Sequence, residues 1–233
     1  VGVFSFDFVK TITCGEGGAL VTHQQKIKIK ADAFHDHGHD HLGKNRGLDR
    51  PLFLGLNFRI SELHAAVGLA QLSKLKSIVN QQRKNKKILK NALKKIPGLS
   101  FRKILDPKGD NAGFLTLIFP DRITAQRAFE VMNKTGLDNC FYWFEHRWHY
   151  LRSWEHLFEL KSLNLLPKPT YEKWKEENKR DFSSSDSIME RTLSVLIKIN
   201  WSPQEVESIA QTLKLIITKS LENVKIQKHS PTP

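Results

Sequence analysis

Residues 4–22, FSFDFVKTITCGEGGALVT, decide how the rest of the chain is read. Residues 3–8 alternate and are aromatic enough for a strand; residues 18–23, GALVTH, make a second short strand, with a glycine-rich turn before it. Lys10 stands just past the first strand. A lysine beside a buried strand needs a chemical reason to tolerate desolvation. Schiff-base formation is one. Desolvation favours the neutral amine that attacks an aldehyde, and Gly15, Gly17 and Gly18 let the backbone lie close to a flat ring. Ser5 is placed to reach a phosphate from the same strand end. On these residues alone, a surface lysine at a hairpin turn is the plainer reading.

Working outward, residues 24–34 read as a helix, and residues 35–58 form a Gly-, His- and Asp-rich connection, of a length usually reserved for function. Ser61 caps a long helix, with Glu62 placed favourably against its dipole and Ile60, Leu63, Val67 and Ala70 repeating at intervals of 3, 4 and 3. The helical pattern continues toward Ile96, where Pro97-Gly98 stops it. The texture then changes to short strands at 99–103 and 114–119, a helix at 124–135 and a strand at 140–144, which together read as a separate small α+β domain. Its last helix opens with Ser202-Pro203-Gln204-Glu205, a capping box with proline at the first helical position. The tail beyond Ile226 is expected to be disordered.

With 233 residues, 39% hydrophobic and 26% charged, the chain is long enough for a buried core and is neither disordered nor collagenous. No window approaches the ~20 apolar residues of a membrane span, and the opening VGVFSFDFVK lacks a basic lead and a cleavage site, so a cytoplasmic protein with no membrane span is expected. Cys14 and Cys140 are too few for a disulfide framework, which also fits a reducing cytosol. Val1 opens inside a strand, so the chain is expected to begin in mid-fold, as the C-terminal part of something longer.

The formal charge is +13, and its location matters more than its size. Residues 63–105 carry eleven Lys/Arg and no acidic residue, leaving the rest of the chain almost neutral. Such a stripe can hold nucleic acid or another anionic surface. However, Phe101 is the only aromatic residue in it, whereas single-strand binders interleave stacking platforms with their basic residues. A solvated helix face is the simpler account, and no nucleic-acid partner is expected.

Two motifs in order carry a family resemblance. Ser5, Lys10 and Gly15-Glu16-Gly17-Gly18 form S-x-x-x-x-K-x-x-x-x-G-E-G-G. Then follow Gly55, Asn57, Arg59, Ser61-Glu62-Leu63, Ala65-Ala66, Gly68-Leu69 and Gln71-Leu72. Together they resemble the DegT/DnrJ/StrS sugar aminotransferases, pyridoxal-phosphate enzymes of fold type I, from Val1 to about Ile217. The resemblance implies an α/β fold comprising the C-terminal part of such a transferase. The end of the large mixed-sheet domain would occupy residues 1–75, a connecting long helix 76–98, a small α+β domain 99–219 and a disordered tail 220–233.

The same resemblance implies roles. Lys10 would be the Schiff-base lysine and proton shuttle, Ser5 would bind the cofactor phosphate, and Asn57 would reach the phosphate bound by a second subunit, making a homodimer part of the site. A dehydratase branch carries His where this chain has Lys10, which favours amino transfer. Lys44, Arg46 and Arg50 in the connection, with His149 and Tyr150 further on, are the expected substrate contacts. The keto-sugar would take its amino group from glutamate, for surface polysaccharide (lipopolysaccharide) synthesis. The segments FSFDFVKTITCGEGG and HDHGHDHLGKNRG are most similar to the branch that aminates an eight-carbon keto-sugar acid; nucleotide-linked 4-keto-6-deoxy sugars are the alternative. The family's phosphate-cradling helix, ring-stacking residue and ring-nitrogen Asp do not appear in this sequence. The chain alone is therefore expected to be inactive, with a silent, dimerising subunit as the competing role.

Two further constellations stand out. His35-Asp36-His37-Gly38-His39-Asp40-His41, if extended, would put four imidazoles on one face, a plausible transition-metal grip. Loops rarely hold such geometry, so no metal is expected and a substrate, interface or plain loop role is preferred. Phe141, Tyr142, Trp143, Phe144, Trp148, Tyr150 and Trp154 read either as small-domain core or as a rim that stacks on a sugar, with the charged residues among them marking a polar cleft.

Overall fold

A computed structural model describes residues 1–164, 167–177 and 182–228. The chain divides into two compact units, Val1–Ile78 and the residues from Val79 onward.

In the first unit, β1 (Gly2–Ser5) pairs antiparallel with β2 (Gly18–Val21), with Ser5 opposite Gly18 and Phe4 opposite Ala19. The intervening residues leave the ribbon as one excursion. Its base is closed on Phe6, whose N–H donates to the Gly17 carbonyl (2.8 Å) and whose carbonyl accepts from Cys14 N (3.0 Å) and Thr13 Oγ1 (3.1 Å). α1 (Gln25–His35) follows, then a connection with a short 3-10 turn at Arg46–Leu48, then α2 (Glu62–Leu72). The Ser61 hydroxyl caps α2 by accepting from His64 N.

The expected single helix from Ser61 to Ile96 is interrupted: α3 (Leu75–Leu93) starts anew. The Ser73 hydroxyl donates to the Ala70 carbonyl at 2.8 Å, taking the acceptor that Lys74 N–H would use, and Lys74 N turns to the Gln71 carbonyl instead.

Burial in this unit also departs from expectation. The sheet is only two strands, so β1 is not a buried strand: Val3 is 77% exposed and Phe4 54%. Lys10 is likewise exposed. The stripe of Ile60, Leu63, Val67 and Ala70 is exposed as well, Leu63 at 81%.

The second unit is built on a four-stranded antiparallel sheet in the order β3 (Ser100–Phe101), β4 (Phe114–Ile118), β6 (Thr192–Leu196), β5 (Cys140–Phe141). On one face of β4, Leu115 and Leu117 are buried against α4 (Arg122–Lys134), the C-terminal part of α3 and α8 (Pro203–Lys228). These elements share one core through Leu89, Leu93, Ala128, Met132, Leu213 and Ile217. Between β5 and β6 run α5 (Glu155–Phe158), α6 (Lys168–Glu177) and α7 (Ser183–Met189). Ser202 and Glu205 complete the capping box of α8: Ser202 N donates to Glu205 Oε2 (2.7 Å) and Glu205 N to Ser202 Oγ (3.2 Å). α8 does not end at 219. Ser220 is buried and Leu221 packs on the core, so the helix runs into the stretch expected to be a disordered tail; residues 229–233 lie outside the described set. No helix among the described residues is long and apolar enough to cross a membrane.

Candidate functional site

Ser5 closes β1 at the mouth of the excursion, exposed, with its hydroxyl accepting from Asp7 N at 3.4 Å. Lys10 tops the turn, its N–H bonded to the Asp7 carbonyl at 2.9 Å and its side chain in solvent. Asp7 Oδ1 is buried without a hydrogen-bond partner among the described residues, a feature the sequence reading did not single out. Gly17 must be glycine: its φ is +151°, and a Cβ there would lie 2.7 Å from Ile60 Cδ1 and 3.1 Å from Cys14 Sγ. Gly68 of α2 faces the Cys14 side chain, so the second motif packs directly on the turn of the first.

Asn57 bridges antiparallel to Asp36, and its Oδ1 accepts from Arg59 N and Arg59 Nε at 3.3 and 3.1 Å. Arg59 Nε in turn lies 3.5 Å from Asp36 Oδ1. Lys44 is exposed, and Arg50 gives its carbonyl to Asp40 N. Arg46 opens the 3-10 turn, but its side chain lies outside the described set. An open concavity of about 1010 Å³ is lined by Val3, Phe4, Leu20, Lys28, Asp32 and Phe58, among others; Ser5 and Lys10 are not part of its wall.

His149 and Tyr150 belong to the second unit and differ from each other. His149 is exposed, its ring 5.0 Å from that of Trp143 and 4.6 Å from that of His146. Tyr150 is 8% exposed and its hydroxyl donates to Asp186, which also accepts from Arg152 Nε at 2.5 Å. The two residues expected to contact substrate thus stand in different surroundings. Tyr150 and Arg152 are tied to Asp186 of α7, whereas His149 is exposed. Burial also pushes the Tyr142 phenol up to about 12; its hydroxyl donates to the Glu190 carbonyl at 2.6 Å. Trp143 stacks on Phe141 at 4.9 Å and meets Phe114 edge-on, on the sheet face opposite Leu115 and Leu117.

The basic stripe is partly consumed within the fold. Arg83 Nε donates to the Asp110 carbonyl, Lys86 Nζ bonds the Asp110 carboxylate at 2.6 Å, and Lys90 lies over the Phe101 ring.

Residues 1–214 match the model of the DegT/DnrJ/EryC1/StrS aminotransferase family. Two curated relatives share the name UDP-4-amino-4,6-dideoxy-N-acetyl-beta-L-altrosamine transaminase. The one from Helicobacter pylori is 42% identical over 72 residues, 31% of this chain and 19% of its own length. The one from Campylobacter jejuni is 32% identical over 123 residues, 52% of this chain and 32% of its own. Among solved structures, "Helicobacter pylori PseC, aminotransferase involved in the biosynthesis of pseudoaminic acid" superposes with a TM-score of 0.71 at 21% identity, covering 95% of this chain and 53% of that one. The chain thus spans about half the length of that structure. With a family match over nearly its whole length, and with both motifs packed together around the Gly17 turn, the chain belongs to the DegT/DnrJ/EryC1/StrS aminotransferase family.

Proposed function

We propose that this chain forms the C-terminal portion of a pyridoxal-phosphate aminotransferase that moves an amino group from glutamate onto a keto-sugar. The observation that carries the reading is Lys10 on the Asp7–Lys10 turn between β1 and the glycines, inside a family match spanning residues 1–214. The residues present fit the cofactor: a primary amine at Lys10 and a hydroxyl at Ser5, both exposed at or just beyond the same end of β1. When bound, pyridoxal phosphate supplies the electron sink for amino transfer. Lys10 Nζ anchors the cofactor and holds the proton that must move at the reacting carbon. Ser5 Oγ binds the phosphate. Asn57, oriented by its bonds to Arg59, reaches the phosphate of a second copy, and the exposed apolar stripe of α2 with Leu54, Leu56 and Phe58 is the kind of surface such a homodimer covers. Lys44, Arg46 and Arg50 meet an anionic substrate; His149, in the second unit, is a separate candidate for substrate contact.

The substrate we assign is an eight-carbon keto-sugar acid, 3,8-dideoxy-8-oxo-manno-octulosonate, which makes this an 8-amino-3,8-dideoxy-manno-octulosonate transaminase working in the cytoplasm for lipopolysaccharide synthesis. The support is the resemblance of residues 4–18 and 35–47. A UDP-linked 4-keto-6-deoxy sugar is the second reading, favoured by the names of the two curated relatives. The test is to add pyridoxal phosphate to the protein, reduce with borohydride and map the labelled peptide, alongside Lys10→Ala. Label on Lys10 and loss of the visible band in the variant are expected. No band in the wild type supports a silent subunit instead, and a band retained by Lys10→Ala refutes the assignment. Mass analysis of products from glutamate with each keto-sugar then separates the two substrates.

A further inference from the structure

Residues 32–41 carry seven groups able to ligate a metal: Asp32, His35, Asp36, His37, His39, Asp40 and His41. Their backbone is not the extended segment that would line up four imidazoles. His37, Gly38 and His41 have positive φ (59°, 91° and 54°), and the segment curls back over residues 51–57. It is held there by His37 N to the Leu56 carbonyl (2.9 Å), Gly38 N to the Ala33 carbonyl (2.7 Å) and Leu52 N to the Gly38 carbonyl (2.8 Å). A Cβ on Gly38 would run into the Phe53 carbonyl oxygen. This loop therefore has the built geometry that loops usually lack.

The curl brings one donor atom each from Asp36, His37 and His39 within 4.8 Å of one another. Asp36 is 6% exposed, and His39 Nδ1 is buried with no hydrogen-bond partner among the described residues. A buried imidazole nitrogen aimed at nothing is costly unless a ligand takes it. His41 is fixed outside the trio, with Nε2 on Asp36 Oδ2 (3.1 Å) and Nδ1 on Asp32 Oδ2 (2.9 Å), the arrangement that orients a ligating carboxylate from behind.

We infer that Asp36, His37 and His39 form a binding site for one divalent transition-metal ion, zinc foremost. Two imidazoles and one carboxylate are a zinc donor set that leaves a fourth position for water. Zinc bonds of about 2.0–2.2 Å space tetrahedral donors about 3.3–3.6 Å apart, so the trio must close by roughly an ångström, within the reach of imidazole rotation. The Arg59 guanidinium, 3.5 Å from Asp36 Oδ1, holds that carboxylate in place before the ion arrives. This site is independent of the aminotransferase reading, because its readout is metal binding.

The test titrates the metal-stripped full chain with Zn²⁺ against a chromogenic chelator and with Co²⁺ in the visible range. One equivalent of Zn²⁺ and the intense bands of four-coordinate Co²⁺ are expected. His39→Gln should weaken binding at least about tenfold, since even the loss of a partner behind a ligand costs 10–100-fold. His23→Gln, an exposed histidine outside the cluster, should leave it unchanged. Circular dichroism of His39→Gln confirms that the fold persists, and Asp36→Asn provides a second ligand variant. Equal affinity in His39→Gln and Asp36→Asn, or only the weak bands of six-coordinate Co²⁺ at several equivalents, overturns the site.

Discussion

Replacing Lys86 with Met should uncouple the α3 helix from the loop that leads into β4. Lys86 Nζ sits 2.6 Å from Asp110 Oδ2, with the two side chains 12% and 18% exposed, so this is a largely covered pair. At an effective dielectric constant of 20, unit charges at that distance attract by about 6 kcal/mol. Covering both groups removes several kcal/mol of that. The remainder falls near the ~1.5–3 kcal/mol typical of hydrogen bonds to charged groups. Burial alone would raise the Asp110 carboxyl, but the Lys86 hydrogen bond, the Ala112 N–H and the nearby Arg102 outweigh it and hold the group below its usual 3.8. A depressed carboxylate stabilises fully above its unfolded value, and that stability is lost as pH falls through the folded value. Urea unfolding at neutral pH should therefore show Lys86→Met destabilised by ~2 kcal/mol, with the gap to wild type shrinking below about pH 4. A double-mutant cycle with Asp110→Asn isolates the pair. Coupling under about 0.5 kcal/mol, or an unchanged acid limb, would refute the reasoning.

Leu117→Ala removes a side chain with no exposure from the middle of the β4 face and should cost about 3–4 kcal/mol in the same urea assay, with little loss of helix content. Cys140, 6% exposed, has its thiol pushed up to about 12 by burial and the neighbouring Asp138 charge; in native protein it should react with a thiol reagent only as fast as the second unit opens, with rates converging on those of a free thiol in denaturant.

Where the sequence was legible, the governing interactions were local. The Ser202–Glu205 capping box joins residues three apart, the Ser61 cap does the same, and the 2–5/18–21 ribbon is punctuated by glycines that the chain itself displays. Strand β6 escaped notice for the opposite reason. Thr192, Leu193, Ser194 and Val195 are all buried because β6 lies between β4 and β5 with both faces covered, and covering both faces erases the alternation that marks a strand. The break at Ser73 depends on which donor captures one carbonyl, which periodicity cannot encode.

The candidate site divides along the same line. Ser5, Lys10 and the glycines were readable as a motif, whereas the solvent exposure of Lys10 was not, because burial of β1 depends on what lies against it rather than on its own residues. The bond from Tyr150 to Asp186 was not legible, since Asp186 is 36 residues away, on an element the pattern did not predict. The His35–His41 run is a different case. Its composition suggested a metal grip and general experience of loops argued against it, yet the decisive facts are the backbone bonds to residues 51–57 and the unpartnered His39 nitrogen. Those bonds fix the ring positions before any ion is present, so the strength of Zn²⁺ binding should depend on residues 51–57 as well as on the ligands. Leu52→Pro removes the N–H that bonds the Gly38 carbonyl and leaves all three ligands in the sequence. It should weaken Zn²⁺ binding, as the preorganisation argument requires, and unchanged affinity in that variant would mean that the histidines bind from a loosely held loop.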